Sequence, residues 1–239
     1  MRIRSQVIPF LVASMLIGAV LYGLVRLLPG VPAAAACWIA GTVLAVLVAY
    51  LLWFFRDPVR IAPDEADAVL AAADGVVAKI ATFSPDQFSS ISMLAGLKPD
   101  DTADFRKGDV LRISIFLSLF DVHVNRTPIS GKSRFLGYFP GKHLFTFEEK
   151  SSDVNQHNSI LIEGRRTRCL VNQIVGPICR RVVYWLPQDR AVDVRAGDDF
   201  GMMKFGSRLD MYFPAADIKV LVKEGDRVSA GISIIGRIH

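Results

Sequence analysis

Cysteine is scarce in this chain, and the little there is lacks a pattern. The 239 residues hold three, Cys37, Cys169 and Cys179, with no Cys-x-x-Cys spacing. An odd count without that spacing argues against a disulfide framework and against a zinc site, so no metal is expected. Cys169 and Cys179 read as small buried side chains in a reducing compartment. Acidic residues are nearly missing from the first 60 positions, where Asp57 stands alone against five arginines. That segment carries +4, and the 23 basic and 22 acidic residues of positions 61–239 leave only +1. A nucleic-acid footprint needs clustered Lys and Arg on the folded part, so nucleic acid is set aside as a partner. A long 3.6-residue apolar period is also absent beyond residue 60, so helices are not expected to build that part.

What the chain has in excess is apolar length. Its mean hydropathy of +0.35 is high for a soluble domain, and the excess is local. Positions 7–25 and 31–55 are uncharged runs of 19 and 25 residues. A span needs about 20 apolar residues to cross about 30 Å of hydrocarbon, so both suffice. The short link containing Pro29-Gly30 makes them an antiparallel hairpin. Arg2 and Arg4 precede it, Arg56 and Arg60 follow it, and the turn has Arg26 alone. The positive-inside bias then places both ends, and the rest of the chain, on the cytoplasmic side of the membrane. A re-entrant hairpin is the competing reading, kept open by Pro9, Pro29 and Pro32; a cleaved signal peptide would have a shorter core and no second run. Positions 1–60 are thus read as a membrane anchor and 61–239 as one further domain.

That domain reads as mainly β. Short runs rich in branched residues fall at 75–81, 110–116, 159–163, 182–186 and 218–222, punctuated by Gly and Asp. The best helix candidate, 84–97, is a mixed stretch with Pro85 near its start. Val222-Lys223-Glu224-Gly225-Asp226, followed by Val228 and Ala230-Gly231, looks like the hammerhead turn of biotinyl/lipoyl-type β-sandwiches. A sandwich or barrel-like core with such elements is the expected fold.

The chemistry concentrates at Phe200–Pro214, around Gly206-Ser207. A serine hydroxyl can attack the preceding carbonyl and convert the peptide link to an ester. Glycine leaves that carbonyl open and lets the backbone take a strained geometry. Elimination from the ester and hydrolysis would leave a pyruvoyl group at position 207. A Gly-Ser pair alone is common in turns and does not establish this.

The surrounding residues do more. Phe-Gly-Ser-Arg-Leu-Asp-Met-Tyr-Phe-Pro at 205–214 resembles the cleavage segment of phosphatidylserine decarboxylase proenzymes of the short bacterial type. Other segments agree in order: Phe54-Phe55-Arg56-Asp57-Pro58, Ala73-Asp74-Gly75, Phe120 to Pro128 with its Asp121-Val122-His123, and Gln173-Ile174-Val175-Gly176 followed by Arg180-Arg181. The resemblance covers about 54–238. It implies cleavage between Gly206 and Ser207 into a β subunit (1–206) and an α subunit (207–239). It also implies a pyruvoyl cofactor made from Ser207 and phosphatidylserine as the membrane-borne substrate. Nothing in the sequence points to pyridoxal phosphate, the commoner electron sink for such a decarboxylation. His123 is the expected base and proton donor, with Asp74 and Asp121 as candidates to orient it. Some relatives carry a second histidine three residues on, where this chain has Arg126. That leaves open whether one histidine serves both steps and whether Arg126 binds the substrate's phosphate or carboxylate. His143 and His157 lie in polar stretches and are expected to be solvated. Arg180-Arg181 is either a solvated basic edge or a head-group contact. A membrane-anchored carrier with Lys204 in a hairpin, or a non-enzymatic scaffold, are the alternatives. A homo-oligomer is possible.

Overall fold

The computed structural model of the chain describes residues 1–91, 97–177 and 182–239. They form two compact units, Met1–Val59 and Arg60–His239.

In the first unit, β1 (Arg2–Ile3) leads into α1 (Ile8–Arg26), and α2 (Ala33–Phe54) leads into β2 (Arg56–Asp57). Pro9 sits in the first turn of α1, where its missing N–H leaves no helical bond unmade. Ser14, a polar residue inside the apolar run, returns its hydroxyl to the Phe10 carbonyl at 2.7 Å. The helices pack side by side, with Leu44 filling the space over Gly18. Their outer ends are tied together: β1 pairs antiparallel with β2, and Arg4 meets Asp57 at 2.6 Å. Both helices are long and apolar enough to cross a membrane.

The second unit is mainly β. Its strands are β3 (Ala68–Leu70), β4 (Gly75–Phe83), β5 (Val110–Leu117), β6 (Val124–Arg126), β7 (Gly131–Phe139), β8 (His157–Glu163), β9 (Arg168–Val175), β10 (Val183–Tyr184), β11 (Val192–Val194), β12 (Asp199–Met202), β13 (Ser207–Pro214), β14 (Ile218–Val220), β15 (Arg227–Val228) and β16 (Ile234–Ile238). Among the described residues the short α-helices α3 (Pro85–Ser89), α4 (Pro99–Thr102) and α5 (Ser151–Val154) interrupt them. Eight strands form one antiparallel sheet in the order β11-β7-β8-β9-β13-β5-β4-β15. Two three-stranded sheets, β10-β12-β6 and β14-β16-β3, complete the unit.

Period-two alternation gives the large sheet two different faces. On one, Ile113, Ile115 and Leu117 of β5 and Leu209, Met211 and Phe213 of β13 pack against Val69, Phe200, Ile218 and Ile235 from the small sheets. On the other, Tyr212, Leu170 and Leu161 pack under Phe88 and Phe105. Burying a side chain of this size stabilises the fold by about 1.5–3 kcal/mol. β13 is therefore covered on both faces and is hydrogen-bonded on both edges, to β5 and to β9.

The strand runs expected at 75–81, 110–116 and 159–163 are β4, β5 and β8, each one to two residues longer. Those at 182–186 and 218–222 shrink to β10 and β14. Pro187 follows the first and cannot donate to a ladder. The helix candidate at 84–97 yields α3 alone, with Ser84 and Gln87 forming a reciprocal capping box; residues 92–96 lie outside the described residues. His157 is buried rather than solvated. Its ring stacks on Phe139 at 5.1 Å, and its Nδ1 lies 3.0 Å from the Asn155 carbonyl.

Candidate active site

Gly206-Ser207 lies where the chain crosses from a small sheet to the large one. β12 ends at Met202 and β13 begins at Ser207, so Met203–Gly206 must turn sharply. Phe205 and Gly206 take φ of +51° and +70°. A left-handed φ is rare outside glycine, and at a phenylalanine it is strained by about 1–2 kcal/mol. The Gly206 carbonyl faces Gly176 so closely that a Cβ there would come within 2.9 Å of its oxygen. Ser207 itself is in register with Leu117 of β5 and Val175 of β9. Its Oγ is fully buried and has no hydrogen-bond partner among the described residues. A buried, unsatisfied hydroxyl thus adjoins the Gly206–Ser207 link, two residues from the strained Phe205, and could attack that link. These residues fit a pyruvoyl group formed from Ser207.

His123 reaches the same end of the sheet by two tethers. The loop carrying it leaves β5 at Leu117, the register partner of Ser207. Its carbonyl also accepts from the Met203 amide at 3.1 Å. The imidazole is fully buried, and its Nδ1 lies 2.9 Å from the Asp121 carbonyl. A carbonyl can only accept, so Nδ1 carries the proton. In the neutral ring the lone pair is then on Nε2, the nitrogen that can act as base. Asp121 thus orients His123 through its backbone. Its carboxylate closes the loop instead, accepting from the Ser118 amide at 2.8 Å and the Ser118 hydroxyl at 2.6 Å, and from Arg227 at 3.0 Å.

Asp74 is at this end too, two residues before Val76, which pairs with Phe116. The turn at Gly75 has φ +143°, and a Cβ there would lie 2.0 Å from the Phe116 carbonyl oxygen, so only glycine fits. The Asp74 carboxylate takes both guanidinium nitrogens of Arg60, at 2.5 and 2.7 Å, and the Ala230 amide at 2.8 Å. Arg126 points its Nη1 at the Gly197 carbonyl, 3.0 Å away. Arg180 and Arg181 lie outside the described residues.

Two features escaped the sequence reading. The first is a chain of buried amides on the Ser207 face: Asn158 Nδ2 donates to Gln173 Oε1 at 3.4 Å, and Gln173 Nε2 to Asn125 Oδ1 at 2.7 Å. The second lies on the opposite face, where Arg208 meets Asp210 at 3.0 Å and Glu149 at 3.1 Å. Glu149 also binds Arg112. Burial works against the Arg112 charge, yet Asp210, Tyr212 and Glu149 raise its pKa above the ordinary arginine value. Polar residues at inward positions of otherwise apolar strands were the available signal for both. Lys204, the residue a carrier would modify, is 9% exposed, whereas a carrier lysine must reach solvent. Among the described residues no group of three or more His, Cys, Asp or Glu could hold a metal ion.

Comparison with known proteins shows the family. Residues 47–236 match the family model described as phosphatidylserine decarboxylase. A phosphatidylserine decarboxylase proenzyme of Carboxydothermus hydrogenoformans is 37% identical over 199 residues, 83% of this chain and 84% of the relative. One from Chlorobium chlorochromatii is 38% identical over 208 residues, 87% of each. One from Chlorobium phaeobacteroides strain BS1 is 37% identical over 232 residues, 95% of each. Nothing in them favours a carrier domain. With its Gly-Ser junction, its buried histidine and these relatives along most of its length, the chain belongs to the phosphatidylserine decarboxylase family.

Proposed function

We propose that the protein cuts itself between Gly206 and Ser207 and then decarboxylates phosphatidylserine to phosphatidylethanolamine. Family membership makes it a carboxy-lyase. The observation that carries the self-cleavage is the dry, unsatisfied Ser207 hydroxyl next to two left-handed residues.

In the first step His123 Nε2 takes the hydroxyl proton as Ser207 Oγ attacks the Gly206 carbonyl carbon. The peptide C–N bond breaks, the Ser207 nitrogen takes up the proton, and an ester remains. Loss of the Ser207 Cα proton then expels the Gly206 carboxylate, and hydrolysis releases the nitrogen as ammonia. A pyruvoyl group at position 207 supplies the electron sink for loss of CO₂. Around it, Leu117, Val175 and Leu209 exclude water. His123 holds and returns the proton that replaces the carboxylate. Asp121 keeps the His123 tautomer through its carbonyl. Asp74 acts at one remove, pinning Arg60 and the Ala230 turn at the edge of the site. Arg126 is proposed to meet the lipid phosphate.

Cleavage makes a β subunit of 1–206 and an α subunit of 207–239, which stay together as one domain. The helices are proposed to span the inner membrane as a hairpin with both ends cytoplasmic, which the pairing of β1 with β2 supports. The 222–231 turn is proposed as a hammerhead element, supported by the Gly225 amide bond to the Val77 carbonyl.

Intact-mass measurement of the purified protein tests the reading. It should show a 33-residue fragment (239 less 206) with a blocked N-terminus. Ser207→Ala should remain one chain without activity. A wild-type protein of unbroken mass with an ordinary serine would end the proposal.

A further inference from the structure

The buried amide chain has an end with nothing to do. Asn158, Gln173 and Asn125 are each at least nine-tenths buried. Along the chain each amide donates to the next, which leaves Asn125 Nδ2 as the last donor. It is fully buried and has no hydrogen-bond partner among the described residues. A donor sealed from water without an acceptor is costly to keep. Its persistence points to an acceptor that the uncut chain does not supply.

Register shows where that acceptor would be. Gln173 opposes Leu209, two residues along β13 from Ser207 and on the same face. Gln173 holds Asn125, and Asn125 lies on β6 two residues after His123. Through Gln173, Asn125 is joined to the strand position opposite Leu209, the next residue after Ser207 on that face of β13.

We infer that Asn125 Nδ2 receives the carboxylate of the serine head group, with Gln173 and Asn158 holding it in place. The inference rests on the decarboxylase reading and concerns how the substrate is oriented within it. The serine amine must approach position 207. Of the acceptors on the lipid, the carboxylate is borne on the same carbon as that amine, while the phosphate is farther off along the chain. The chemistry suits a neutral amide. A guanidinium would stabilise the carboxylate more than the transition state, in which its charge is leaving, and would slow the reaction. A single amide orients the group and surrenders little. The product has no carboxylate, so it leaves the donor unsatisfied again, which favours release.

Reductive trapping of lipid on the 33-residue fragment, read by mass, tests this with a signal separate from turnover. Both phosphatidylserine and phosphatidylethanolamine carry the amine that is trapped; only the former has the carboxylate. Asn125→Ala should still cut itself. It should need about tenfold more phosphatidylserine for half-maximal trapping and an unchanged amount of phosphatidylethanolamine. Asn125→Asp should discriminate more strongly, through charge repulsion. Equal loss for both lipids, or no loss for either, overturns the assignment, as does an Asn125 variant that folds but stays uncut. If the Asn125 variants do not fold, Gln173→Met decides, since it frees Asn125 without altering it: a selective loss for phosphatidylserine supports the inference and a uniform response refutes it. An uncut wild-type chain would instead sink the decarboxylase reading itself.

Discussion

At the scale of single residues the site is a contest between strain and reach. Gly206 has open space around its missing Cβ, so backbone conformation alone opposes a side chain there. Gly206→Ala should therefore fold, lose about 1 kcal/mol of stability, and cut itself more slowly, a rate followed on denaturing gels. His123→Gln keeps a buried polar group of similar size but has no basic nitrogen; it should accumulate uncut precursor over hours, where the wild-type matures. The sequence made Ser207 and His123 visible because each sits in a dense motif. It could not show which atom of Asp121 faces the ring. Residue type suggested the carboxylate, while the tight Ser118–Asp121 turn spends that carboxylate on the Ser118 amide and hydroxyl and on Arg227, and offers the carbonyl instead. Asn125 and Gln173 could not be paired from sequence because they lie 48 residues apart and their partnership is between strands.

At the scale of elements, the large sheet works as two surfaces. The Ser207 face is mostly apolar and carries the amide chain, and the reverse face carries Arg208, Asp210 and Arg112. Asp210 is fully buried against Arg208, so removing its charge leaves that buried guanidinium with the half-exposed Glu149 as its remaining carboxylate. Asp210→Asn should cost about 3 kcal/mol, measured by urea unfolding. Glu149, half-exposed, should matter far less because solvent screens it. The long strands were legible through branched residues and alternation. The two- and three-residue strands were not, because a strand that short is set by its partner: β15 exists because Gly75 and Val76 offer it an edge. In the helix candidate at 84–97, Pro85 and the capping box fix where α3 starts and say nothing of its length.

For the whole molecule, chain order and spatial order differ. The fragment 207–239 contains β13, bound on one edge by β5 and on the other by β9. The two pieces should therefore co-elute in native buffer and separate only in denaturant; their separation without it would contradict this architecture. Charge also acts globally. A hydrogen bond from Lys107 holds Asp104 below the ordinary carboxylate range, and hydrogen bonds from the Ile80 amide and Lys79 do so for Glu224. In the unfolded chain these groups bind protons at higher pH, so their contribution is present above about pH 4 and is lost as pH falls through their folded values. Burial raises Asp153 instead. Its contribution is present at acid pH and lost as pH rises. Asp153→Asn should thus stabilise the protein near neutrality by less than about 1 kcal/mol and leave it unchanged near pH 3, by urea titration at the two values.

The left-handed pair at Phe205 and Gly206 gives maturation a direction. Severing the link lets the released carboxyl end uncoil from a conformation it held only under constraint, while the other end stays locked in its ladder. Religation would have to recapture a recoiled tail that no longer shares a high local concentration with its former partner. The fold thus acts as a ratchet, spent once in the life of each molecule.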